Sequence, residues 1–91
     1  MKFTYPAVIR KTEEGTYQAF APDLAGCEVT APDMEDIMEN IYNAVYDWIY
    51  LELSENGDLP PVSEESDLMT QEGDQIRNIC VNIRLTDGWD E

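Results

Sequence analysis

The N-terminal part of the chain alternates between apolar and polar positions, which is the pattern of a strand with one buried face. In residues 3–11 the apolar side consists of Phe3, Tyr5, Ala7 and Ile9. Residues 12–15 are polar and end in glycine, which predicts a hairpin loop, and residues 16–21 predict the returning strand. Because Pro6 has no amide hydrogen, we expect the first strand to lie at a sheet edge or to be irregular there.

A turn and a short third strand separate this hairpin from a long helix. Residues 21–26 contain the proline and glycine typical of a turn, and residues 27–30 predict a strand. A period near 3.6 residues then predicts a helix from residue 34 to about residue 55. Asp33 is the expected N-cap, and we expect Gly57 to end the helix in a left-handed conformation.

The predicted helix has one broad apolar face, formed by Ile37, Met38, Ile41, Ala44, Val45, Trp48 and Ile49. The opposite, polar face consists of Asp36, Asn40, Asn43 and Asp47. Along the border between the two faces runs a tyrosine stripe, which we define as Tyr42, Tyr46 and Tyr50. These tyrosines either wall the core with their hydroxyl groups in water or form a surface for a partner or a second copy of the chain.

The last part of the chain predicts a loop and a final strand. Residues 63–76 are acidic and poor in apolar side chains, whereas residues 78–85 alternate and must return to the sheet to bury their apolar side. The order β-β-β-α-β predicts an α+β fold, an antiparallel sheet with one long helix packed on one face, in a single domain over residues 1–91. The predicted contacts join the helix residues Ile41, Val45 and Trp48 to strands that carry Ile9, Phe20, Val81 and Ile83 or their neighbours.

The chain is strongly acidic, with twenty Asp and Glu residues against five Lys and Arg and a formal net charge of −15. Neither Lys nor Arg occurs from Thr12 to Ile76. Nucleic acids and anionic membranes are bound largely through cations, so this surface should repel both. A strongly negative surface attracts basic macromolecules, so the charge favours a basic partner. The charge could also serve only to keep the protein soluble.

The sequence offers few groups for catalysis or metal binding. It has no histidine, so Cys27 and Cys80 lack the usual activating base, and no phosphate-binding or metal-binding motif occurs. Adjacent glutamates at 13–14 and 64–65 fall on predicted loops, where carboxylates are ordinarily solvated. We therefore expect no metal, no cofactor and no enzymatic activity. Since neither a signal peptide nor a long apolar run is evident, we expect a cytoplasmic protein with two free thiols.

Two runs of residues carry a resemblance to a known family. Tyr-Gln-Ala-Phe-Ala-Pro-Asp-Leu-Ala-Gly-Cys at residues 17–27 and Leu-Pro-Pro-Val-Ser at residues 59–63, together with residues 5–9, resemble the signature of HicB-like antitoxins. The resemblance implies a partial ribonuclease-H-like fold without nuclease activity. It also implies a partner, a small basic ribonuclease toxin of the HicA type. Many HicB proteins continue into a C-terminal DNA-binding module, and we expect the short form without one here.

The signature and the charge each suggest functional residues. Within the signature we expect a structural role for Pro22, Asp23, Leu24, Gly26 and Cys27, which should shape the turn and fill the core beneath it. The candidate partner-binding residues lie on the helix flank and in the acidic loop: Asp36, Glu39, Tyr46, Asp47 and Tyr50, with Glu64, Glu65, Asp67, Glu72 and Asp74.

Three functions remain open on the sequence. The leading one is an antitoxin that neutralises a basic ribonuclease. The second is an orphan acidic domain of the same fold that binds another basic partner or mimics DNA, and the third is a metal-dependent nuclease. The tyrosine stripe and a possible free sheet edge also favour a homodimer over a monomer.

Overall fold

The structure is a computed structural model that describes residues 2–55, 57, 59–64, 68 and 70–83. Its elements are β1 (Lys2–Lys11), β2 (Tyr17–Phe20), β3 (Glu28–Ala31), α1 (Met34–Ser54) and β4 (Gln75–Asn82). These strands form one antiparallel sheet in the order β3-β2-β1-β4. The predicted α+β fold and the β-β-β-α-β order are therefore confirmed.

Strand β1 lies inside the sheet, and the prediction that Pro6 would mark an edge strand is wrong. Pairing with β2 covers only the stretch from Val8 to Lys11, whereas pairing with β4 runs along most of β1. Pro6 therefore has a strand neighbour on the β4 side alone, where it lies opposite Asn78. Proline has no backbone N–H, and it is tolerated here because no described strand pairs with β1 on the β2 side at this position.

Helix α1 packs on one face of the sheet through a single row of side chains. Ile37, Ile41, Val45 and Ile49 recur every four residues and are fully buried. They meet side chains that project from alternate strand positions and from the turn between β2 and β3: Tyr5, Ala7, Ile9, Ala19, Ala21, Leu24, Cys27, Ala31, Ile79, Val81 and Ile83. Each side chain of the helix row contributes about 1.5–3 kcal/mol relative to exposure in water.

Two residues named in this prediction lie outside the fully buried core, and a neighbour of one of them takes the core position. Phe20 is on the opposite face of the sheet, because its neighbour Ala19 takes the buried position against α1. The small Ala19 side chain lets the helix approach the sheet closely. Trp48 is only partly buried at the border of the helix face, where its indole Nε1–H donates to the Ala25 carbonyl oxygen at 3.0 Å. An indole ring combines a large apolar surface with one donor, so it suits such a border position.

The two ends of α1 are closed differently. At the start, Asp33 is the N-cap, and its Oδ1 accepts the backbone N–H of Asp36 at 2.8 Å. At the end, the prediction of a left-handed Gly57 is wrong, since its φ is not positive. The backbone N–H of Gly57 instead donates to the carbonyl oxygen of Glu52 at 2.8 Å, which satisfies one of the free carbonyl groups of the last turn.

Strand β4 begins earlier than the sequence pattern indicates. Residues 75 and 76 belong to the strand, where Ile76 lies opposite Val8, so the acidic loop ends before them. The residues around Ile76 are polar, so the sequence shows no clear alternation of apolar and polar positions there. Arg84 and Leu85, the last residues of the predicted strand, lie outside the described residues.

The packing of α1 can be tested with an alanine substitution. Ile41→Ala should lower the free energy of unfolding by about 2–5 kcal/mol, because a fully buried side chain is lost and a cavity remains. Asn43→Ala, an exposed position on the same helix, should change it by less than about 0.5 kcal/mol. Urea denaturation followed by circular dichroism measures both values. Equal effects of the two substitutions would show that a different face of α1 packs on the sheet.

Candidate functional site

The signature residues 21–27 form a compact turn between β2 and β3. The N–H of Ala21 donates to the carbonyl oxygen of Cys27, and the N–H of Cys27 donates to that of Leu24, each at 3.0 Å. Gly26 has a φ of 79°, which side chains other than glycine rarely adopt. Leu24 and Cys27 are buried beneath the turn, so its apolar residues contribute to the core.

The two cysteines differ in their exposure. Cys27 and Cys80 are both free thiols, the first buried under the turn and the second exposed on β4. Burial raises the pKa of the Cys27 thiol, which keeps it protonated and weakly nucleophilic. Among the described residues, no group of three cysteine, aspartate and glutamate side chains is placed to hold a metal ion.

Asp23 of the turn holds the segment that follows the helix. Its Oδ2 accepts the backbone N–H of Ser63 at 2.8 Å, and its Oδ1 accepts the Ser63 hydroxyl at 2.5 Å. Beside this pair, the Tyr5 hydroxyl donates to the carbonyl oxygen of Pro60 at 2.6 Å. Burial, and secondly the charge of Asp23, raise the pKa of Tyr5, so the hydroxyl stays protonated and remains a donor. We call these contacts the Asp23–Ser63 clamp.

A second long-range contact lies on the sheet face opposite α1. Arg10 Nε and Nη2 donate to Asp74 Oδ1 and Oδ2 at 3.0 and 2.9 Å, and the guanidinium carbon lies 5.5 Å from the centroid of the Phe20 ring. The Asp74 carboxylate also accepts the backbone N–H of Gln71 at 2.7 Å. Hydrogen bonds from Arg10 and from this amide lower the pKa of Asp74.

This arrangement corrects one of the candidate partner-binding residues. Asp74 was expected to face a partner, yet its side chain is only 1% exposed. Its oxygens are occupied by Arg10 and by the Gln71 amide, so the residue stabilises the start of β4. The sequence pattern does not reveal this pairing, because the two residues are far apart along the chain.

The candidate residues of the helix flank lie on the accessible side of α1. Asp36, Glu39 and Asp47 are exposed, and Tyr46 is partly buried. The exposed fractions of Tyr42 and Tyr50 are 41% and 40%. The rings of Tyr46 and Tyr50 stack, with their centroids 6.2 Å apart and their planes 13° from parallel. Tyr42 and Tyr50 are thus accessible, whereas Tyr46 between them also packs against the edge of the core.

The charges of α1 are all of one sign. The helix carries five carboxylates and no cation: Glu35, Asp36, Glu39, Asp47 and Glu52. In the part of the chain that the structure describes, the cations lie on β1 and β4, and the ion pair formed there is that of Arg10 with Asp74. The helix carboxylates are therefore not neutralised within the described residues. None of the described helices combines the length and apolar composition that a membrane crossing requires.

The structure describes only part of the acidic loop. Glu64 and Glu72 are exposed, whereas Glu65 and Asp67 lie outside the described residues. Glu39, Asp47 and the tyrosines share the accessible side of α1, and the rings of Tyr46 and Tyr50 stack there. Pro22 of the signature is exposed at the turn and also remains a structural candidate.

The family of the chain follows from its sequence. A family model described as "HicB_like antitoxin of bacterial toxin-antitoxin system" matches residues 5–87. The chain belongs to this family, and the resemblance carried by residues 17–27 and 59–63 is confirmed. A curated protein from Archaeoglobus fulgidus, described as "UPF0150 protein", is 38% identical over 56 residues, which cover 62% of this chain and 75% of that protein.

Solved structures share this fold. The N-terminal domain of the Burkholderia pseudomallei antitoxin HicB has a TM-score of 0.73 and 17% identity, covering 91% of this chain and all of that one. A chain of a toxin-antitoxin complex from Streptococcus pneumoniae has a TM-score of 0.76 and 14% identity, covering 100% and 79%. A chain of the structure described as "HicA3 and HicB3 toxin-antitoxin complex" has a TM-score of 0.62 and 27% identity, covering 84% and 94%.

The Asp23–Ser63 clamp gives a prediction for stability. Asp23→Ala and Ser63→Ala should each lower the free energy of unfolding by about 1–2 kcal/mol, since each leaves a partly buried hydrogen-bonding group unpaired. The double variant should cost less than the sum of the two, because the second substitution removes a partner already lost. Glu14→Ala, an exposed hairpin position, is the control. Strict additivity in urea denaturation would show that the two side chains do not interact.

The pair of Arg10 and Asp74 gives a prediction for pH dependence. The folded-state pKa of Asp74 lies below its ordinary value of 3.8, so its contribution to stability is complete above that value. The contribution is lost as the pH falls through the lowered folded-state pKa. The difference in unfolding free energy between the wild type and Asp74→Asn should therefore be constant near neutral pH and shrink in acid. A difference that grows on acidification would contradict the assignment.

Proposed function

We propose that this protein is an antitoxin that binds a small basic ribonuclease toxin of the HicA type and blocks its activity. The observation that carries the proposal is α1, a helix with five carboxylates and no cation, in a chain of the HicB-like antitoxin family. A similar chain belongs to a structure described as a complex of HicA3 and HicB3, which supports the same class of partner.

The chemistry of the partner explains how blocking would occur. A ribonuclease binds the phosphate groups of RNA through lysine and arginine side chains. An acidic protein competes for the same cations and excludes the RNA from them. The net charge of −15 would speed the encounter, whereas individual exposed ion pairs contribute little to affinity. Apolar contact must therefore slow dissociation, and Tyr42, Tyr50 and Leu51 are the exposed apolar side chains of α1.

This function assigns no catalytic step to the chain. The protein has no histidine, and the buried Cys27 thiol is protonated, so the proposed inhibitor works by occupying a surface. Two free thiols suit the reducing cytoplasm, where we propose that the protein acts. The nuclease alternative would require metal-dependent hydrolysis by the purified protein.

We also propose that the free protein is a homodimer. In the described part of the chain, no strand lies along the outer side of β4 from Gln75 to Val81. A sheet edge of this length can pair with the same edge of a second copy around a twofold axis. The mass measured by light scattering should then be about twice 10.4 kDa. A monomeric mass would exclude the dimer without affecting the antitoxin function.

Co-expression tests the antitoxin function directly. The candidate toxin to look for is a short basic protein that contains histidine and is encoded beside this gene. Expression of such a protein should arrest growth, and expression of this chain should relieve the arrest. The purified proteins should elute together. If growth is not relieved and the proteins elute separately at low salt, the antitoxin function is excluded and an acidic domain with a different basic partner replaces it.

Salt dependence and a matched pair of variants test the role of α1. The association rate should fall markedly as salt rises from about 50 to about 300 mM, because screening weakens the long-range field. Glu39→Gln/Asp47→Asn and Glu13→Gln/Glu14→Gln remove the same charge from the helix flank and from the hairpin. Stopped-flow measurements should show that the helix variant associates more slowly than the hairpin variant. Equal association rates of the two variants would show that the rate depends on the net charge and not on where the charges lie.

A further inference from the structure

The chain holds one of its own arginines between an aromatic ring and a carboxylate. The guanidinium carbon of Arg10 lies 5.5 Å from the Phe20 ring centroid, and Asp74 accepts two hydrogen bonds from the same group. The ring faces the delocalised cation, while the carboxylate receives the in-plane N–H groups. An aromatic side chain and a carboxylate at this spacing thus form a complete arginine site.

Helix α1 displays the same two groups on its surface. Glu39 precedes Tyr42 by three residues and Asp47 precedes Tyr50 by three, and this separation places the two side chains of each pair side by side on a helix. Between the two pairs lies Tyr46, whose ring stacks on that of Tyr50. Tyr42 and Tyr50 are about two-fifths exposed, so the stripe is accessible to a partner.

These groups have no cation of their own in the described part of the chain. The ion pair found there joins Arg10 to Asp74, and the hydrogen bonds found there do not include the hydroxyls of the tyrosine stripe. A second copy of the chain is a poor occupant, because its own α1 would bring five further carboxylates and no cation to the contact. Charge complementarity therefore selects a basic protein surface.

We propose that the tyrosine stripe binds arginine side chains of a basic protein partner. Guanidinium planes lie on the tyrosine rings, and the carboxylates of Glu39 and Asp47 accept their N–H groups. This inference rests on the proposed function, in which the partner is the ribonuclease toxin, and it names the residue type that the antitoxin recognises.

Arginine suits this surface better than lysine does. Its guanidinium is planar and weakly hydrated, so it can stack on a ring while donating in its plane to a carboxylate. The ammonium group of lysine is strongly hydrated and has no plane to stack. A surface that recognised charge alone would bind the two residue types equally.

Oligoarginine and oligolysine peptides of equal length are the probes for this test. Fluorescence anisotropy at physiological salt should show that the full chain binds oligoarginine about fivefold or more tightly than oligolysine. The double variant Tyr46→Leu/Tyr50→Leu keeps apolar bulk and helix propensity but has no rings, and it should lose this preference. Val62→Ala, which removes a 56% exposed apolar side chain outside α1, should retain it.

A second measurement does not depend on the folding of a variant. In NMR titrations of the wild-type chain with oligoarginine, the ring protons of Tyr42, Tyr46 and Tyr50 should shift, and those of Tyr17 on β2 should not. Equal affinity for both peptides, a preference that survives in the leucine variant, or ring shifts absent from the stripe would each overturn the inference. A change from dimer to monomer in the leucine variant, with peptide binding intact, would assign the stripe to self-association and overturn it as well.

The peptide experiment and the co-expression experiment separate the two proposals. If the chain relieves toxin arrest but does not prefer oligoarginine, the stripe is not the recognition surface and the antitoxin function stands. If the chain prefers oligoarginine but does not relieve arrest, the stripe binds arginine in a basic partner of another kind, and the antitoxin function fails.

Discussion

The contact between one row of α1 and the apolar face of the sheet determines the rest of the structure. Ile37, Ile41, Val45 and Ile49 are fully buried, and a chain of 91 residues has room for one such core. Because this row fixes the rotation of the helix, it also fixes which residues face water. The tyrosine stripe and the carboxylates are presented outwards as a direct consequence of burying the isoleucines. The core of the protein and its candidate binding surface are therefore two sides of one helix.

The element order and the phase of α1 could be predicted because they depend on local periodicity, which the sequence displays directly. The errors arise where the structure depends on contacts between distant residues. Phe20 was predicted to contact the helix because it is apolar. The neighbouring Ala19 instead occupies the side of β2 that faces the helix. Asp74 was predicted to face a partner, since nothing near it along the chain reveals that Arg10 lies beside it in the fold. Gly57 closes the helix through its amide rather than its conformation.

The family signature acquires a physical meaning from the Asp23–Ser63 clamp. The two residues belong to runs separated by the whole of α1, and the sequence gives no reason for their co-occurrence. In the structure the carboxylate of Asp23 receives both donors of Ser63, while Tyr5 binds the Pro60 carbonyl beside it. The signature residues thus connect the segment that follows α1 to the turn between β2 and β3, which precedes α1 in the chain. These contacts hold α1 on the sheet at both of its ends.

The pairing of β4 with β1 has a consequence for synthesis of the protein on the ribosome. Strand β1 is made first and β4 last among the described elements, and the two pair along eight positions. Until residues 75–82 emerge, the nascent chain carries an open strand edge and lacks part of the wall on which α1 packs. Such intermediates are prone to aggregation and to proteolysis, because unpaired edges and apolar surface are accessible. A chain interrupted before β4 would therefore be removed rather than accumulate, and only finished molecules would be available to meet a partner.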